Sequence, residues 1–578
     1  MVNIKINGVQ LQVEAGSTIL SAAYQAGIEI PTLCYLKEIN AIGSCRICVV
    51  EVKGARNLVA ACVHPVSEGM EILTNTLKVQ RARRMTLELI LSNHKKECLT
   101  CIRNQNCELQ KLAKDYGIEE VRFEGESETY PLEVSTHHLV RDNNKCILCR
   151  RCVAVCKHNQ DVGVIAPVGR GFQTRITCAF DKDLAHVPCV SCGQCITVCP
   201  TGALSEKDDT QRVWEALDDP TKHVVVGVAP SIRVNLGECF DMPIGTNVQG
   251  KTAAALRRMG FDQVFDIDTA ADLTIMEEGT ELLERINNGG KLPLITSCSP
   301  GWVKYCEYMF PEFIENLSSA KSPQQMFGSV IKTYYAEKNG IDPKDIFVVG
   351  IMPCTAKKFE VAREDQDVNH VPGVDVALTS RELGRMINRA GIAFTKLPDE
   401  EFDNPFGIAS GAGHIFGATG GVMEAALRTV AEIVEGKPLE KLEFEEVRGT
   451  EGVKEASYTL KGQTINVAVA SGLKNARTLL ERVKSGEKQY HFIEIMGCPG
   501  GCVNGGGQPI QPAMVRNFVD LKAIRGAALY DQDKGMTLRK SHENPAVKEL
   551  YDNYFGKPGS HKAHEILHTK YHKRTKYS

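Results

Sequence analysis

Basic residues in excess, long apolar runs and an export signal are all missing from this sequence. The 68 lysines and arginines face 71 aspartates and glutamates, so the formal net charge is −3 and offers no basic excess for nucleic acid. The longest apolar runs, such as 224–229, are far shorter than the roughly 18 residues of a membrane-spanning helix. The first residues, MVNIKINGVQ, lack the basic and apolar regions of a signal peptide. We therefore expect a soluble, cytoplasmic protein with no membrane span and no nucleic-acid partner.

Cysteine, by contrast, is abundant, with 22 residues that cluster at short spacings. In a protein that is not exported, such clusters indicate metal ligands rather than disulfides. The chain has 578 residues, which at roughly 100 to 200 residues per domain allows several domains. Apolar residues make up 43% and charged residues 24% of the chain, as in folded globular proteins.

Four kinds of sequence follow one another along the chain. Alternating apolar residues and an Asn7-Gly8 turn predict a small β-rich start with one helix capped near Ser17. Residues 79 to about 115 are predicted to be helical and to lead into a cysteine-rich turn. From Val224 onward, buried-strand runs alternate with helical patterns, which is typical of an α/β domain with a parallel sheet. The polar tail after about residue 556 is expected to be a solvated end that is able to dock a neighbour.

The strongest motif is a pair of cysteine runs with the spacing of two-cluster ferredoxins. In this arrangement three thiolates of each run hold one [4Fe-4S] cube, and the fourth crosses to the neighbouring cube. The predicted ligands of the first cube are Cys146, Cys149, Cys152 and Cys199. Those of the second are Cys189, Cys192, Cys195 and Cys156. Zinc is the alternative metal, and eight cysteines in this crossed spacing argue against it.

A second group of cysteines follows the β-rich start. The four thiolates are enough for a [2Fe-2S] centre, although the first gap is longer than in plant-type ferredoxins and zinc stays an alternative. They are Cys34, Cys45, Cys48 and Cys62. Residues 43–52 resemble the N-terminal domain of the large iron-sulphur subunit of respiratory NADH dehydrogenases. That resemblance implies a β-grasp fold that carries [2Fe-2S].

A third group contains only three cysteines, Cys98, Cys101 and Cys107. A [4Fe-4S] cube needs four ligands. His94 precedes Cys98 by four residues, near the end of a helix from which an imidazole can reach the same metal. We therefore predict His94 as the fourth ligand, and the same NADH dehydrogenase subunit family shows this His/Cys3 pattern.

The last group lies on three distant segments of the α/β region, each flanked by Gly and Pro. The segments are TSCSPGW with Cys298, MPCTAKKFE with Cys354, and EIMGCPGGCVNGGG with Cys498 and Cys502. Thiols on loops at the edge of a rigid α/β scaffold indicate a buried metal site. The glycines would let the backbone approach a cofactor closely.

These three segments resemble the signature motifs of [FeFe]-hydrogenases, and the domains before them resemble the accessory iron-sulphur domains of that family. The resemblance covers essentially the whole chain. It implies an H-cluster, which is a [4Fe-4S] cube joined through Cys502 to a two-iron subsite with CO, cyanide and a dithiolate bridge. The expected cofactors are one [2Fe-2S] cluster, three accessory [4Fe-4S] clusters and the H-cluster.

The expected fold is multidomain, α+β and α/β. The expected domains are a β-grasp 2Fe-2S ferredoxin-like domain at 1–78, a His/Cys3 4Fe-4S domain at 79–118, a bacterial 2[4Fe-4S] ferredoxin domain at 139–209, a large α/β H-cluster domain at 210–515 and a small-subunit-like C-terminal segment and tail at 516–578.

The first segment departs from the family pattern. The family usually has two adjacent cysteines there, a proton donor followed by a cube ligand, and these positions hold Cys298 and Ser299. The predicted cube ligands are Cys354, Cys498, Cys502 and the oxygen of Ser299. Alternatives are an open corner, another group, or Cys298 as the ligand. Thiolate is the softer ligand for iron, so we expect a weaker or altered cube.

Carboxylates at helical spacing can carry protons to this site. Glu278 and Glu281 are three residues apart and share one helix face with Arg285, although a solvated face would be the simpler interpretation without the resemblance. The relay matched from the family is Cys298, Glu278, Ser318, Glu281 and Arg285. Lys357 matches the residue that hydrogen-bonds a cyanide. The matched cofactor pocket contains Pro230, Ser231, Gln324, Met352 and Met496.

The expected function is reversible hydrogen turnover, 2H⁺ + 2e⁻ ⇌ H₂, by a catalytic subunit whose accessory clusters pass electrons. The sequence has no convincing dinucleotide or flavin motif, so the expected partners are flavin- and NAD(P)-binding subunits, ferredoxin, and maturation proteins for the two-iron subsite. One alternative is the iron-sulphur subunit of an NADH dehydrogenase, against which the three segments argue. The other is a non-catalytic or sensory relative, which Cys298 disfavours and Ser299 keeps open.

Overall fold

The computed structural model describes residues 1–123, 125 and 127–577. Its N-terminal domain is a five-stranded sheet packed on one helix. Its elements are β1 Val2–Ile6, β2 Val9–Val13, α1 Ile19–Gln25, β3 Val49–Val52, β4 Val59–Ala60 and β5 Glu71–Leu73. The strand order is β2-β1-β5-β3-β4, and β1 and β5 are parallel. Asn7 and Gly8 have φ of 47° and 90°, as the tight turn between β1 and β2 requires. The cap of α1 is Thr18, one residue after the predicted Ser17.

The next domain contains two helices, α2 Leu77–Ser92 and α3 Glu108–Asp115. Thr76 caps α2 by accepting a hydrogen bond from the Val79 amide. The single helical stretch expected over 79–115 is therefore interrupted. Cys98 and Cys101 lie in the connecting segment, and Cys107 is the residue that immediately precedes α3.

The ferredoxin-type domain consists of two small hairpin-like sheets and short helices around its cysteines. Its elements are β6 Leu139–Arg141, α4 Arg151–Ala154, β7 Ala166–Val168, β8 Arg175–Thr177, α5 Gln194–Thr197 and β9 Leu204–Glu206. β6 pairs with β9 and β7 pairs with β8, both antiparallel.

The large domain is built on two four-stranded sheets. The first contains β10 His223–Val228, β11 Gln263–Asp266, β13 Ile346–Met352 and β14 Val376–Thr379, and the second contains β12 Leu294–Ile295, β15 Val453–Leu460, β16 Gln463–Ser471 and β17 Phe492–Met496. The first sheet, β11-β10-β13-β14, is entirely parallel. The second, β12-β17-β16-β15, is parallel except for its edge strand β15. The apolar runs in β10, β13 and β16 suit strands covered on both faces, and the predicted α/β fold is confirmed.

Helices pack against both sheets and continue into the C-terminal segment, which we define as residues 516–577. They are α6 Thr210–Asp218, α7 Gln249–Arg258, α8 Asp268–Asn288, α9 Pro300–Met309, α10 Pro323–Val330, α11 Ala336–Asn339, α12 Ala356–Val361, α13 Ser380–Arg389, α14 Gly411–Ile415, α15 Gly421–Glu435, α16 Leu473–Lys484, α17 Ala513–Arg516, α18 Leu521–Gly535, α19 Pro545–Leu550 and α20 His561–Leu567. The long helix α8 packs against α10 and α15. Among the described residues, no helix combines the length and the hydropathy that crossing a membrane requires.

The expectation of a solvated tail was wrong, because the end of the chain is docked on the large domain. Ala563, Ile566 and Leu567 of α20 are buried. Nε of Arg574 donates to Oε2 of the buried Glu307 at 2.5 Å. The basic residues that suggested a solvated end alternate with apolar residues that pack into the core. Two of them, His568 and Arg574, are paired with buried carboxylates.

Candidate metal centres and proton relay

The four cysteines of the N-terminal domain lie close together. The sulphurs of Cys48 and Cys62 are 3.3 Å apart. Hydrogen bonds from Cys45 and Cys62 lower the pKa of Cys34 to about 2. Four thiols within reach of one another fit the ligand set of a [2Fe-2S] cluster.

The imidazole of His94 lies just beyond the end of α2. Its Nδ1 is buried and has no hydrogen-bond partner among the described residues. Burial, and next the positive charge of Lys145, lower the pKa of His94 to about 4, which favours the neutral ring that metals bind. Gly202 lies against both Lys145 and Cys101, since a Cβ added there would be 2.5 Å from the Cys101 sulphur. His94 and Cys101 therefore border the same crowded region, as a shared metal requires.

The structure assembles the eight cysteines of the ferredoxin-type domain into two crossed sets. Cys146, Cys149, Cys152 and Cys199 line one cavity. Burial raises the pKa of the Cys192 thiol, and the neighbouring thiols of Cys195, Cys156 and Cys189 raise it further. Each set thus contains three cysteines of one run and the last cysteine of the other, as the spacing predicts.

The three cysteine segments of the large domain meet at the carboxyl ends of parallel strands. The segment with Cys298 follows β12, the segment with Cys354 follows β13, and the segment with Cys498 follows β17. Cys298, Cys354, Cys498 and Cys502 line one cavity between the two sheets. The carboxyl ends of the strands in α/β folds commonly carry functional loops in this way.

The residues that line the cavity fit a cofactor with both sulphur-liganded and hydrogen-bonding parts. Burial, followed by the charge of the nearby Cys354, raises the pKa of the Cys502 thiol to about 12. The predicted pocket residues Pro230, Ser231, Gln324, Met352 and Met496 all line the same cavity. Oε1 of Gln324 is buried without a hydrogen-bond partner among the described residues, which leaves an acceptor for a bound group.

Ser299 lines this cavity at the start of α9. Its hydroxyl does not cap that helix. Instead, Oγ accepts a hydrogen bond from the Gly497 amide at 3.1 Å. Gly497 directly precedes Cys498, so the Ser299 oxygen lies beside the other cube ligands predicted from the sequence.

The residues matched to the relay form a connected series from the cavity outward. Ser318 Oγ bonds to Glu281 Oε2 at 3.1 Å and also to Glu278. Arg285 donates from NH2 to Glu281 Oε1 at 2.6 Å. Ser318 is held in place because its amide donates to the carbonyl of Ile295 in β12 at 2.8 Å. The helix face of α8 and the end of β12 thus bring the series together.

Two buried groups dominate the inner end of this series. Burial, followed by the negative charge of Glu281, raises the pKa of Glu278 to about 8. Burial and the negative charge of Glu278 also raise the pKa of the Cys298 thiol well above its usual value. Both groups therefore hold their protons near neutral pH, and the carboxyl is the one placed to exchange its proton near pH 8.

Lys357 lies at the cavity with a partner that the sequence analysis missed. Its Nζ is 2.9 Å from Oε2 of Glu360 and donates to Ser322 Oγ at 2.7 Å and to the Cys298 carbonyl at 3.2 Å. Glu360 is buried and stands three residues along α12 from Lys357. That i,i+3 spacing was the available signal, and the resulting ion pair holds the ammonium group beside Cys298.

Comparisons with protein families match nearly every part of the chain. The C-terminal domain of the iron-only hydrogenase large subunit matches residues 222–506, and the iron hydrogenase small subunit matches residues 519–574. A 2Fe-2S iron-sulphur cluster binding domain matches residues 1–77, and a 4Fe-4S dicluster domain matches residues 145–203. The iron-sulphur binding region of NADH-ubiquinone oxidoreductase-G matches residues 83–122. These matches favour iron-sulphur clusters over zinc.

Similar proteins cover the chain from end to end. The NADP-reducing hydrogenase subunit HndD of Solidesulfovibrio fructosivorans is 50% identical over 99% of this chain and 99% of its own length. Iron hydrogenase 1 of Clostridium pasteurianum is 46% identical over 99% of this chain and 100% of its own. A solved structure of an [FeFe]-hydrogenase HydA1 variant from Chlamydomonas reinhardtii has 44% identity and a TM-score of 0.57, and covers 64% of this chain and 99% of its own.

Proposed function

The chain belongs to the iron-only hydrogenase family, and from this premise we propose a role for each site residue in a catalytic subunit that performs 2H⁺ + 2e⁻ ⇌ H₂. The observation that carries the proposal is the hydrogen-bonded series from Arg285 through Glu281 to Ser318. It leads toward Glu278, whose charge acts on Cys298 at the cavity lined by Cys354, Cys498 and Cys502. A proton path that ends at a cluster of thiols is what proton reduction requires, because protons and electrons must meet at one place.

The cysteines of the cavity would hold the H-cluster. Cys354, Cys498, Cys502 and the oxygen of Ser299 would hold its cube, and Cys502 would also bridge to the two-iron subsite. When bound, the H-cluster supplies an open iron site for hydrogen. Lys357, held in place by Glu360, would donate a hydrogen bond to a cyanide. The remaining pocket residues would shape the pocket and exclude water: Gln324, Ser231, Pro230, Met352 and Met496.

The relay residues would move protons between this cavity and solvent. Cys298 would exchange a proton with the reacting centre, and Glu278 would exchange that proton with Cys298. Ser318 would pass it on to Glu281, beside Arg285 near the surface. The raised pKa of Glu278, about 8, suits this role because a general acid works best when its pKa is near the working pH.

Electrons would travel through one [2Fe-2S] and three accessory [4Fe-4S] clusters. We propose that they are exchanged with ferredoxin and with flavin- and NAD(P)-binding partner subunits in the cytoplasm, and that maturation proteins deliver the two-iron subsite. A flavin is needed because a hydride must be split into single electrons before one-electron clusters can take them. The similarity to an NADP-reducing hydrogenase subunit supports this assembly.

The proposed function is tested on the matured chain alone and in its native complex. Viologen-linked hydrogen activity should appear in both preparations, and NAD(P)-linked activity only in the complex. The expected difference follows from the partner's flavin, which the isolated chain would lack. NAD(P)H oxidation by the isolated chain, with no flavoprotein present, would overturn the partner assignment, and absence of viologen-linked activity would overturn the catalytic one.

Replacing His94 by alanine should remove one [4Fe-4S] signal and slow reduction by the partner. The reason is that a buried ring nitrogen without a protein partner would no longer supply the fourth ligand. Artificial donors that act nearer the large domain should still support turnover. Electron paramagnetic resonance and iron analysis measure the loss, with His137→Ala, an exposed histidine outside every ligand group, as control. Full iron content in the His94 variant would make His94 a structural residue.

Replacing Ser299 by cysteine should change the electron paramagnetic signal or the reduction potential of the cube. Ligand identity and charge set both quantities, and thiolate is a softer ligand than a serine oxygen. Ser299→Ala distinguishes a cube with the serine oxygen as ligand from a cube with an open corner, since it alters the signal only if the oxygen is a ligand. If the cysteine variant has the spectrum and potential of the natural chain, the fourth ligand lies elsewhere.

A further inference from the structure

The C-terminal segment reaches the proton relay through His568. This residue follows α20, and the backbone beside it is hydrogen-bonded to the loop after Ser318. The Thr569 amide donates to the Ser319 carbonyl at 2.8 Å. At the residue before His568, the Leu567 carbonyl accepts a hydrogen bond from the Lys321 amide at 2.8 Å. The side chain of His568 is 6% exposed, so these backbone bonds hold a buried imidazole against the loop.

Both ring nitrogens of His568 have partners. Nδ1 is 2.8 Å from Ser319 Oγ, and Nε2 is 3.0 Å from Oε2 of the buried Glu277. Glu277 also accepts from the Tyr551 hydroxyl at 2.5 Å and from the Gly559 amide at 3.0 Å. As a carboxylate it can only accept, so the hydrogen of Nε2 points to Glu277.

Ser319 joins this histidine to the relay. Its Oγ is 3.2 Å from Glu281 Oε2, while its amide donates to the same oxygen at 3.0 Å. A hydroxyl carries one proton and therefore donates to only one of two acceptors. When His568 is neutral, its bare Nδ1 accepts from Ser319. When His568 is protonated, Nδ1 donates to Ser319, and the hydroxyl donates to Glu281.

Titratable and charged groups from α8, from α20 and from the segment that follows α19 lie around His568. From α8 these are Glu277 and, through Ser319, Glu281 with its partner Arg285. Tyr551 lies beyond Glu277. The exposed His564 of α20 lies with its ring centroid 4.0 Å from that of His568.

We propose that His568 is a positioning residue of the proton relay, which acts through Ser319 to give Glu281 one hydrogen bond more or one fewer. This inference rests on the relay role of Glu281 in the proposed function. An added hydrogen bond stabilises the ionised carboxylate and makes it a weaker base. A neutral His568 therefore leaves Glu281 as the better acceptor for protons that enter from solvent, and the C-terminal segment becomes a working part of the relay.

The test compares hydrogen evolution by the matured enzyme at two pH values, one below and one above the pKa of His568 that nuclear magnetic resonance of the same protein measures. At alkaline pH, His568→Ala should evolve hydrogen about tenfold more slowly, because Ser319 is then locked onto Glu281 by a charge-assisted hydrogen bond. At acidic pH the variant should match the natural chain, in which Ser319 already donates to Glu281. His561→Ala, an exposed histidine on the same helix, is the control and should match at both pH values.

A double-mutant cycle with Ser319→Ala gives the second criterion. If His568 acts only through Ser319, removing it in the Ser319→Ala background should have no further effect. An equal loss at both pH values, a persistent loss in that background, or no loss at all would overturn the proposal.

One measurement needs no turnover and keeps the inference separate from the proposed function. Nuclear magnetic resonance of ¹⁵N-labelled histidines gives the pKa of His568, whose signal is assigned by its loss in His568→Ala or, should that variant not fold, in His568→Gln. Because linkage is reciprocal, Ser319→Ala should shift this pKa by about half a unit or more. An unchanged pKa would overturn the inference, whereas an inactive natural chain with the expected shift would count only against the proposed function.

Discussion

Replacing Cys298 by alanine is expected to lower hydrogen turnover about 10³- to 10⁴-fold, while the clusters stay assembled. Cys298 lies at the inner end of the relay, where the charges of Glu278 and Lys357 both act on its thiol. Alanine cannot carry a proton, so the relay would stop one residue short of the cavity. Viologen-linked hydrogen evolution measures the loss, and iron analysis with electron paramagnetic resonance measures the clusters.

A second cysteine provides the matched control for this variant. Cys239 lies outside every ligand group and packs its thiol against Gly384, so Cys239→Ala should retain nearly full turnover. Loss of the cube signal in Cys298→Ala would contradict this role, because Cys298 rather than Ser299 would then be the fourth ligand of the cube.

Replacing Glu278 by glutamine is expected to lower turnover about 10²- to 10³-fold, as for the loss of a general acid or base. Glutamine keeps the shape and the hydrogen bonds of the side chain but cannot exchange a proton. Glu278 is buried, and it interacts with both Cys298 and Ser318. The exposed Glu284 on the same helix provides the control, and Glu284→Gln should leave turnover within about twofold of the natural chain.

The pKa of Glu278 also predicts how stability depends on pH. This carboxyl has a pKa near 4.5 when exposed and about 8 in the folded chain, so the folded state holds its proton more tightly. The stability that this group contributes is therefore present below pH 4.5 and is lost as pH rises toward 8. Glu278→Gln should flatten this part of the stability curve in a thermal-melting series. An unchanged curve would mean that Glu278 is not buried as a neutral acid.

The grouping of the cysteines in the accessory domains was predictable because these residues are close together along the chain. The runs that contain Cys146 and Cys189 encode the crossed sets directly, since short spacings restrict which thiols can reach one metal. The parallel sheet was also predictable, because β10 and β13 are continuous apolar runs. The cap of α1 was misplaced by only one residue.

The proton relay was less predictable because it joins distant parts of the chain. The spacing of Glu278 and Glu281 indicated a shared helix face, but their link through Ser318 depends on the pairing of that residue with the end of β12. Without the family resemblance, an ordinary solvated face was the simpler interpretation. Glu360 was overlooked, although its spacing from Lys357 was the available signal.

The tail after about residue 556 was the largest misjudgement, whereas the small-subunit-like character of the C-terminal segment was predicted. Its many His, Lys and Arg residues suggested solvent exposure, yet the side chains of Leu567 and His568 are buried against the loop after Ser318. Composition reports the average polarity of a segment. It does not report which of its residues meet buried partners such as Glu277 and Glu307.

The most direct test of the central claim is infrared spectroscopy of the anaerobically matured protein. Bound CO and cyanide absorb where protein does not, so the spectrum reports the two-iron subsite without any assay of turnover. We predict the bands of both ligands in the natural chain, and their displacement in Lys357→Met, since that lysine would hydrogen-bond a cyanide. A matured, iron-replete protein with neither CO nor cyanide bands would contradict the assignment of this cavity to the H-cluster and, with it, the catalytic function.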